Sequence, residues 1–506
     1  MGHGSKEDHA TSASTAVSGV ETSAPIADLG RLLARSFTAP STRVIDAAVT
    51  AAFVAYGIVM WWPTRNLPYF WDAAGLVVPA AREMLTHGFF PLVLGGHAYY
   101  AHPPLFVVLL ALAWRIFGES RVVAHALILP FLPMAMRATY GIGARLHDRL
   151  LGFAAAVLFG ATAVTLCELG QIYFDLPVAA VAACALLAWV SERPLLAGFV
   201  FAIAAWMKVP AATLPLGLAG ALAIDRARRC DLRRWVGLAI PLAATVVWFV
   251  YHHHVTGWWI AAATKPMWVP SGMSAIAHRA VVFPRIVFLE RYRVFLVALA
   301  AVGAVVHWRK RKPLPGRELA VLAACIAAPM TLFIASTFLT RYALLLFPAE
   351  FLFALLLARR AFSTRVFVLC TSALLAAFIT TWHPKIPLTS AYELTPREDF
   401  SYLDMIWIGE RASAYLESKH ADAEIFGGFL EWYELSDPRN GYVSRALDLR
   451  GCDRFSPTTA EQLVILNAYS PEEKLCHVVT EKTGARPVTR FQSNGKWLEI
   501  WRVPPP

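Results

Sequence analysis

The sequence predicts an all-α polytopic membrane domain of about 11 transmembrane helices, followed by a C-terminal extracytoplasmic α/β domain. Three observations carry this. Of the 506 residues, 57% are hydrophobic and only 16% charged, against about 25% charged in soluble chains. Apolar runs of near-spanning length recur between residues 44 and 382. Beyond 382 the chain turns polar, with short alternating segments. Together they exclude a soluble enzyme, a collagen-like chain, a mostly disordered chain and an outer-membrane barrel, whose strands are short and alternating. The formal charge of +11 is no sign of nucleic-acid binding, because basic residues in a polytopic protein collect in cytoplasmic loops.

Residues 1–43 are rich in Ser, Thr, Ala and Gly and read as a disordered cytoplasmic tail. Spans are expected at roughly 44–62, 121–141, 150–167, 176–190, 195–207, 209–224, 235–251, 293–308, 318–339, 342–358 and 366–382. Basic residues then fall at every other turn: Arg145 and Arg149, Arg193, Arg226 to Arg234, Arg309 to Arg317, and Arg359 to Arg365. By the positive-inside rule the N-terminus is cytoplasmic, and an odd number of spans puts the C-terminus outside the plasma membrane. Residues 104–117 are too short to span and contain Arg115, so they read as an amphipathic helix on the outer leaflet. The transmembrane domain is therefore 44–382, with 63–120 as one external loop. Residues 383–506 form the soluble α/β domain, in which 488–503 reads as a hairpin turning at Asn494-Gly495. Cys452 and Cys476 share that domain and are expected to form a disulfide.

The external loop holds the clearest chemistry. Asp72 follows Tyr69, Phe70 and Trp71 and precedes a helix expected over about 72–87. A helix N-cap and an acid/base carboxylate in an interfacial cleft both fit. Further on, GGHAYYAHPPLF places His102 before a Pro-Pro pair that restricts its backbone, while His97 reads as merely interfacial. Asp175, after Glu168, Gln171 and Tyr173, either caps the next helix or helps to hold an acceptor or a divalent metal. Arg341 and Lys208 lie at span ends, where a snorkelling cation and an anion ligand are the competing readings.

Taken in order, these motifs resemble the GT-C glycosyltransferases, nearest to the protein O-mannosyltransferase and lipid A aminoarabinose-transferase branch. The resemblance rests on Asp72 after the first span, the helix from Ala81 to Gly88, His102-Pro103-Pro104-Leu105, CELGQIYFDLPVAA around Asp175, LLAGFVFAIAAWMKVPA around Lys208, and TFLTRYALLLFPAEF around Arg341. It covers about 44–360. The chain departs from the branch at Ala73, where an acid pair would end, at His102, where Lys is common, and at Ala202, where a second Gly is expected.

The resemblance implies an inverting transferase that moves a sugar from a polyprenyl-phosphate donor to a lipid, glycan or protein acceptor on the outer face. Asp72 would be the catalytic base. Arg341, Tyr342 and Lys208 would bind the donor phosphate. Asp175, Glu168 and His102 would form the acceptor or second acidic site. The resemblance specifies no cofactor, and a divalent metal is the one candidate. A transporter or lipid flippase, and a surface-glycan polymerase or ligase, are the competing classes. The first would carry charges near the bilayer midplane, whereas here they cluster in loops and at span ends.

Overall fold

The computed structural model describes residues 42–90, 92, 102–259, 272–311, 313–336, 339–382, 400–468 and 473–506. The tail at 1–41, His97 and the stretch 383–399 that opens the C-terminal region lie outside the described residues. Met1–Ala51 and Ala52–Pro506 separate as two compact units.

Sixteen helices run in order through the described residues up to 382. They are α1 (Thr42–Trp61), α2 (Val78–His87), α3 (Leu105–Phe117), α4 (Arg121–Ile128), α5 (Phe131–Leu146), α6 (Arg149–Ala161), α7 (Ala163–Leu169) and α8 (Asp175–Val190). Then come α9 (Pro194–Met207), α10 (Thr213–Ile224), α11 (Leu232–Thr256), α12 (Met273–Phe288), α13 (Arg293–Arg309), α14 (Gly316–Ala335), α15 (Phe347–Ala361) and α16 (Thr364–Thr380). Helix α3 occupies the short apolar segment, whereas α12 lies between the expected spans at 235–251 and 293–308, where no helix was expected. Arg43–Thr64, Arg121–Leu146, Leu232–Thr256 and Gly316–Ala335 are long and apolar enough to cross a membrane. The expected span at 150–167 is broken: α6 and α7 meet at 65°. Thr162, in extended backbone at the break, bonds the Phe159 carbonyl at 3.0 Å and the Thr165 hydroxyl at 2.6 Å.

Small residues set the closest helix crossings. Gly143 of α5 lies on Gly152 of α6, and Gly198 of α9 lies on Gly237 of α11. A Cβ at Gly152 would strike the backbone carbonyl of Tyr140. Backbone cannot swing aside as a side chain can, so Gly152→Ala should cost about 1–3 kcal/mol. Thermal unfolding in detergent should show a melting temperature several degrees lower, and an unchanged one would contradict this crossing.

Several helices share one arginine-rich end. Glu192, after α8, pairs with Arg228 and Arg234 of the α10–α11 connection and with Arg317 of α14. Arg359 of α15 reaches Asp148, which caps α6 through the Leu151 N–H. The loops assigned to the cytoplasm from the sequence thus come together. The starts of α8 and α15 and the end of α9 lie at the opposite end, because each helix runs the length of the bundle.

The C-terminal region holds a five-stranded sheet in the order β2-β1-β3-β5-β4. Strands β1 (Glu424–Gly427), β2 (Leu449–Gly451) and β3 (Gln462–Asn467) run parallel; β4 (Arg486–Ser493) and β5 (Lys496–Val503) are antiparallel. Asn494 and Gly495 both have positive φ, 44° and 81°, as a tight two-residue hairpin turn needs. Helices α17 (Ser401–Lys419), α18 (Phe429–Ser436) and α19 (Glu473–Thr483) complete it. Cys452 and Cys476 are disulfide-bonded within the core that includes Phe426, Val464 and Leu466. Closing a loop of that length stabilises by about 3 kcal/mol on the chain-entropy account.

Candidate active site

Several segments from across the chain converge at the end opposite the arginine-rich loops. The first is the turn before α2. Trp71 has φ +51°, a left-handed conformation that costs a bulky residue free energy. Ala73–Val77 then form a single π turn before α2. The helix expected from 72 is therefore split, and Asp72 is aimed away from its own backbone. Its carboxylate makes no capping hydrogen bond. It accepts from Arg341 Nη2 instead. This corrects the N-cap reading of Asp72.

The second segment is the break at Thr162. It turns α7 so that Glu168 is 1% exposed, near enough to act electrostatically on both Arg341 and Lys208. The third is the junction of α7 and α8. Asp175 opens α8, but its carboxylate reaches Lys208 Nζ at 2.5 Å and faces Arg341 Nε at 3.4 Å. The fourth comprises two interrupted helices. Helix α9 stops at Lys208 in extended backbone before a 3-10 turn at Val209–Ala212, and α14 gives way to a 3-10 turn at Thr340–Leu345 carrying Arg341 and Tyr342.

Arg341 and Lys208 are 4% and 3% exposed, which rules out snorkelling to water for either. Aromatic faces complete their surroundings. The Arg341 guanidinium lies 4.5 Å over Tyr173, and Lys208 Nζ lies 3.7 Å over Tyr342 and 4.9 Å over Phe174. Burying two cations is costly unless they are paired, and here each has a carboxylate. Arg341 Nη1 is buried with no hydrogen-bond acceptor among the described residues, so one arm of the guanidinium fork is left for an incoming anion. Tyr342 thus contributes a π face at Lys208 within the site.

His102 stands at the rim, its ring edge-on to Phe174 at 4.7 Å. Burial first, and then the Lys208 charge, lower its pKa to about 3, with Asp72 opposing. Because the folded value lies below the unfolded 6.5, the unfolded chain takes up the proton first on acidification. Stability contributed by neutral His102 is complete above about pH 6.5 and is lost towards pH 3. His102→Gln should therefore melt with a shallower pH dependence than wild type between pH 7 and 5, with a difference of about 1–2 kcal/mol by pH 5. Parallel curves would show that His102 is solvated.

Asp72, Asp175, Glu168, Arg341, Lys208, Tyr342 and His102 are thus gathered at one end, while the disulfide Cys452–Cys476 belongs to the C-terminal sheet. Among the described residues no group of three or more His, Cys, Asp or Glu side chains is placed to hold a metal ion. Asp175, read from the sequence as a helix cap or as helping to hold an acceptor or a divalent metal, is engaged by two cations.

Sequence reasoning missed how the C-terminal region contacts this site. The Tyr69 N–H donates to the Asn440 carbonyl at 2.9 Å, three residues before Asp72. Arg82 binds Glu119 at 2.6 Å and both Asp437 and Asn440 at 3.0 Å. Tyr402 of α17 lies beside Phe70 and over Gly170, where a Cβ would displace it. Nothing local in sequence marks these contacts, since their partners stand hundreds of residues apart.

No family model matches the chain, and no curated protein sequence matches it. Its fold does have matches. ArnT from Cupriavidus metallidurans, in a crystal structure bound to undecaprenyl phosphate, aligns over 91% of this chain and 98% of its own at 13% identity and a TM-score of 0.55. ArnT from Cupriavidus metallidurans in the apo state aligns over 89% and 97%, at 14% identity and a TM-score of 0.55. The arabinofuranosyltransferase AftD from Mycobacteria aligns over 92% of this chain and 40% of its own, at 13% identity and a TM-score of 0.47.

Proposed function

We propose that the chain is an inverting glycosyltransferase of the plasma membrane, taking a hexosyl or pentosyl group from a polyprenyl-phosphate donor and passing it to an acceptor at the outer face. The observation that carries this reading is the pair of buried cations, Arg341 and Lys208, each held by a carboxylate at the end opposite the arginine-rich loops. On this reading the chain spans the membrane eleven times with its C-terminal region outside. The likeness to ArnT, whose structure holds undecaprenyl phosphate, supports the donor class.

The geometry suggests an order of events. Before the donor arrives, Arg341 holds Asp72, so the base is masked. The donor phosphate competes with these carboxylates for a guanidinium fork and an ammonium. Its arrival draws Arg341 and Lys208 away from the carboxylates. Asp72, released from Arg341, accepts the proton of the acceptor nucleophile. That nucleophile attacks the anomeric carbon from the face opposite the phosphate, and the C–O bond electrons leave with polyprenyl phosphate. The two cations neutralise the charge that grows on the leaving group. A phosphate leaves well without protonation, so no general acid is assigned.

The test is mass analysis of lipids and glycans from cells with and without the gene. A glycosylated polyprenyl phosphate should accumulate on deletion, together with loss of one glycan modification. Unchanged polyprenyl-phosphate sugars on deletion would overturn the reading.

A further inference from the structure

We infer that the arginine-rich end carries a second anion site, built for the headgroup of an anionic phospholipid. Two adjoining cavities, of about 290 and 180 Å³, open between the ends of α8 and α10 and the starts of α11 and α14. Trp189, Arg234, Arg317 and Val321 line both. Five guanidinium groups, from Arg145, Arg226, Arg228, Arg234 and Arg317, and three carboxylates, from Glu192, Asp225 and Glu318, surround them, so positive charge is in excess.

The charges are arranged around one point. Arg228 and Arg317 reach Glu192 Oε1 at 2.6 and 3.6 Å, and Arg234 binds its other oxygen. Half-exposed Glu192 thus sits among three guanidinium groups, two of which have a further carboxylate, Arg317 at 3.3 Å from Asp225 and Arg234 at 3.1 Å from Asp231, and an anion with several oxygens can take its place. Two arginines of the cavity wall are not consumed by this. Arg145 donates only to the Gly141 carbonyl of its own helix, and Arg226 is exposed and forms no ion pair among the described residues. Below the charges the wall is apolar, from Leu218, Leu222, Ile224 and Val321. An apolar wall under a ring of arginines fits an amphiphile with acyl chains in the bilayer and a phosphate at its surface. A free phosphate shares the headgroup chemistry but would gain nothing from the apolar wall.

The test uses the full chain purified in detergent, with lipid binding read by native mass spectrometry. Phosphatidylglycerol should bind in preference to phosphatidylcholine. Two arginines near a membrane surface are together worth about 30-fold in affinity, so the double variant R145Q/R226Q should weaken phosphatidylglycerol binding by about that factor. E192Q acts in the opposite direction: it removes the internal competitor and should tighten binding several-fold. Neither variant touches the transfer site, so sugar transfer should persist in both. Equal binding of the two lipids, unchanged binding in R145Q/R226Q, or full displacement of the lipid by equimolar inorganic phosphate would each overturn the inference.

Discussion

Asp72→Asn should fold, express and melt like the wild type and yet lose sugar transfer by roughly 10²–10⁴-fold, the usual worth of a general base. The structure sharpens this expectation in two ways. Asp72 makes no cap at the π turn, so no helix stability is at stake. Its contact is with Arg341, and an amide oxygen still accepts a hydrogen bond from a guanidinium while carrying no charge. Arg341 keeps its second carboxylate, Asp175. The competition between Asp72 and the donor phosphate for Arg341 is also weakened in the variant. Donor affinity should therefore be retained or improved while turnover collapses. Measuring donor binding and single-turnover transfer on the same preparation separates the two effects. Transfer at near the wild-type rate would remove Asp72 from the mechanism and leave Asp175 as the carboxylate to examine.

Arg341→Lys should lower donor kcat/KM by about 10²–10⁴-fold although the charge is kept. The guanidinium reaches Asp72 and Asp175 with separate nitrogens, stacks on Tyr173, and leaves Nη1 without an acceptor among the described residues. An ammonium is a point charge with no planar fork, so it cannot make these contacts together. Losing about two hydrogen bonds to charged groups, at about 1.5–3 kcal/mol each, accounts for the expected fall. The defect should appear in donor titrations and leave the acceptor dependence nearly unaltered. Superimposable donor curves for the variant and wild type would reduce Arg341 to a structural residue.

Much of this protein was legible in sequence because membrane insertion writes itself locally. A helix in lipid must satisfy its own backbone and present apolar side chains over a continuous stretch, so most helix positions from α4 onward, though not α12 or the break between α6 and α7, and the basic loops could be read without any fold. The turn at Asn494-Gly495 was equally local, because two successive positive φ angles restrict the residues allowed. Residue chemistry also marked Asp72, Asp175, Lys208 and Arg341, since a charge at the edge of an apolar run is costly enough to need a reason.

What those charges do was decided by tertiary structure alone. Read locally, Asp72 and Asp175 fitted helix caps as well as site carboxylates, and Arg341 and Lys208 fitted snorkelling cations as well as anion ligands, because each is judged against its own helix. In the fold, Arg341 stands 269 residues from Asp72 and binds it, and Lys208 binds Asp175 across 33 residues. The positive φ at Trp71, the 65° bend between α6 and α7 and the close Gly143–Gly152 crossing arise from packing between segments. So does the reach of Asn440 to Tyr69. Spacing along the chain carries no record of such distances, whereas burial in a shared low-dielectric site makes pairing between those groups the favourable state.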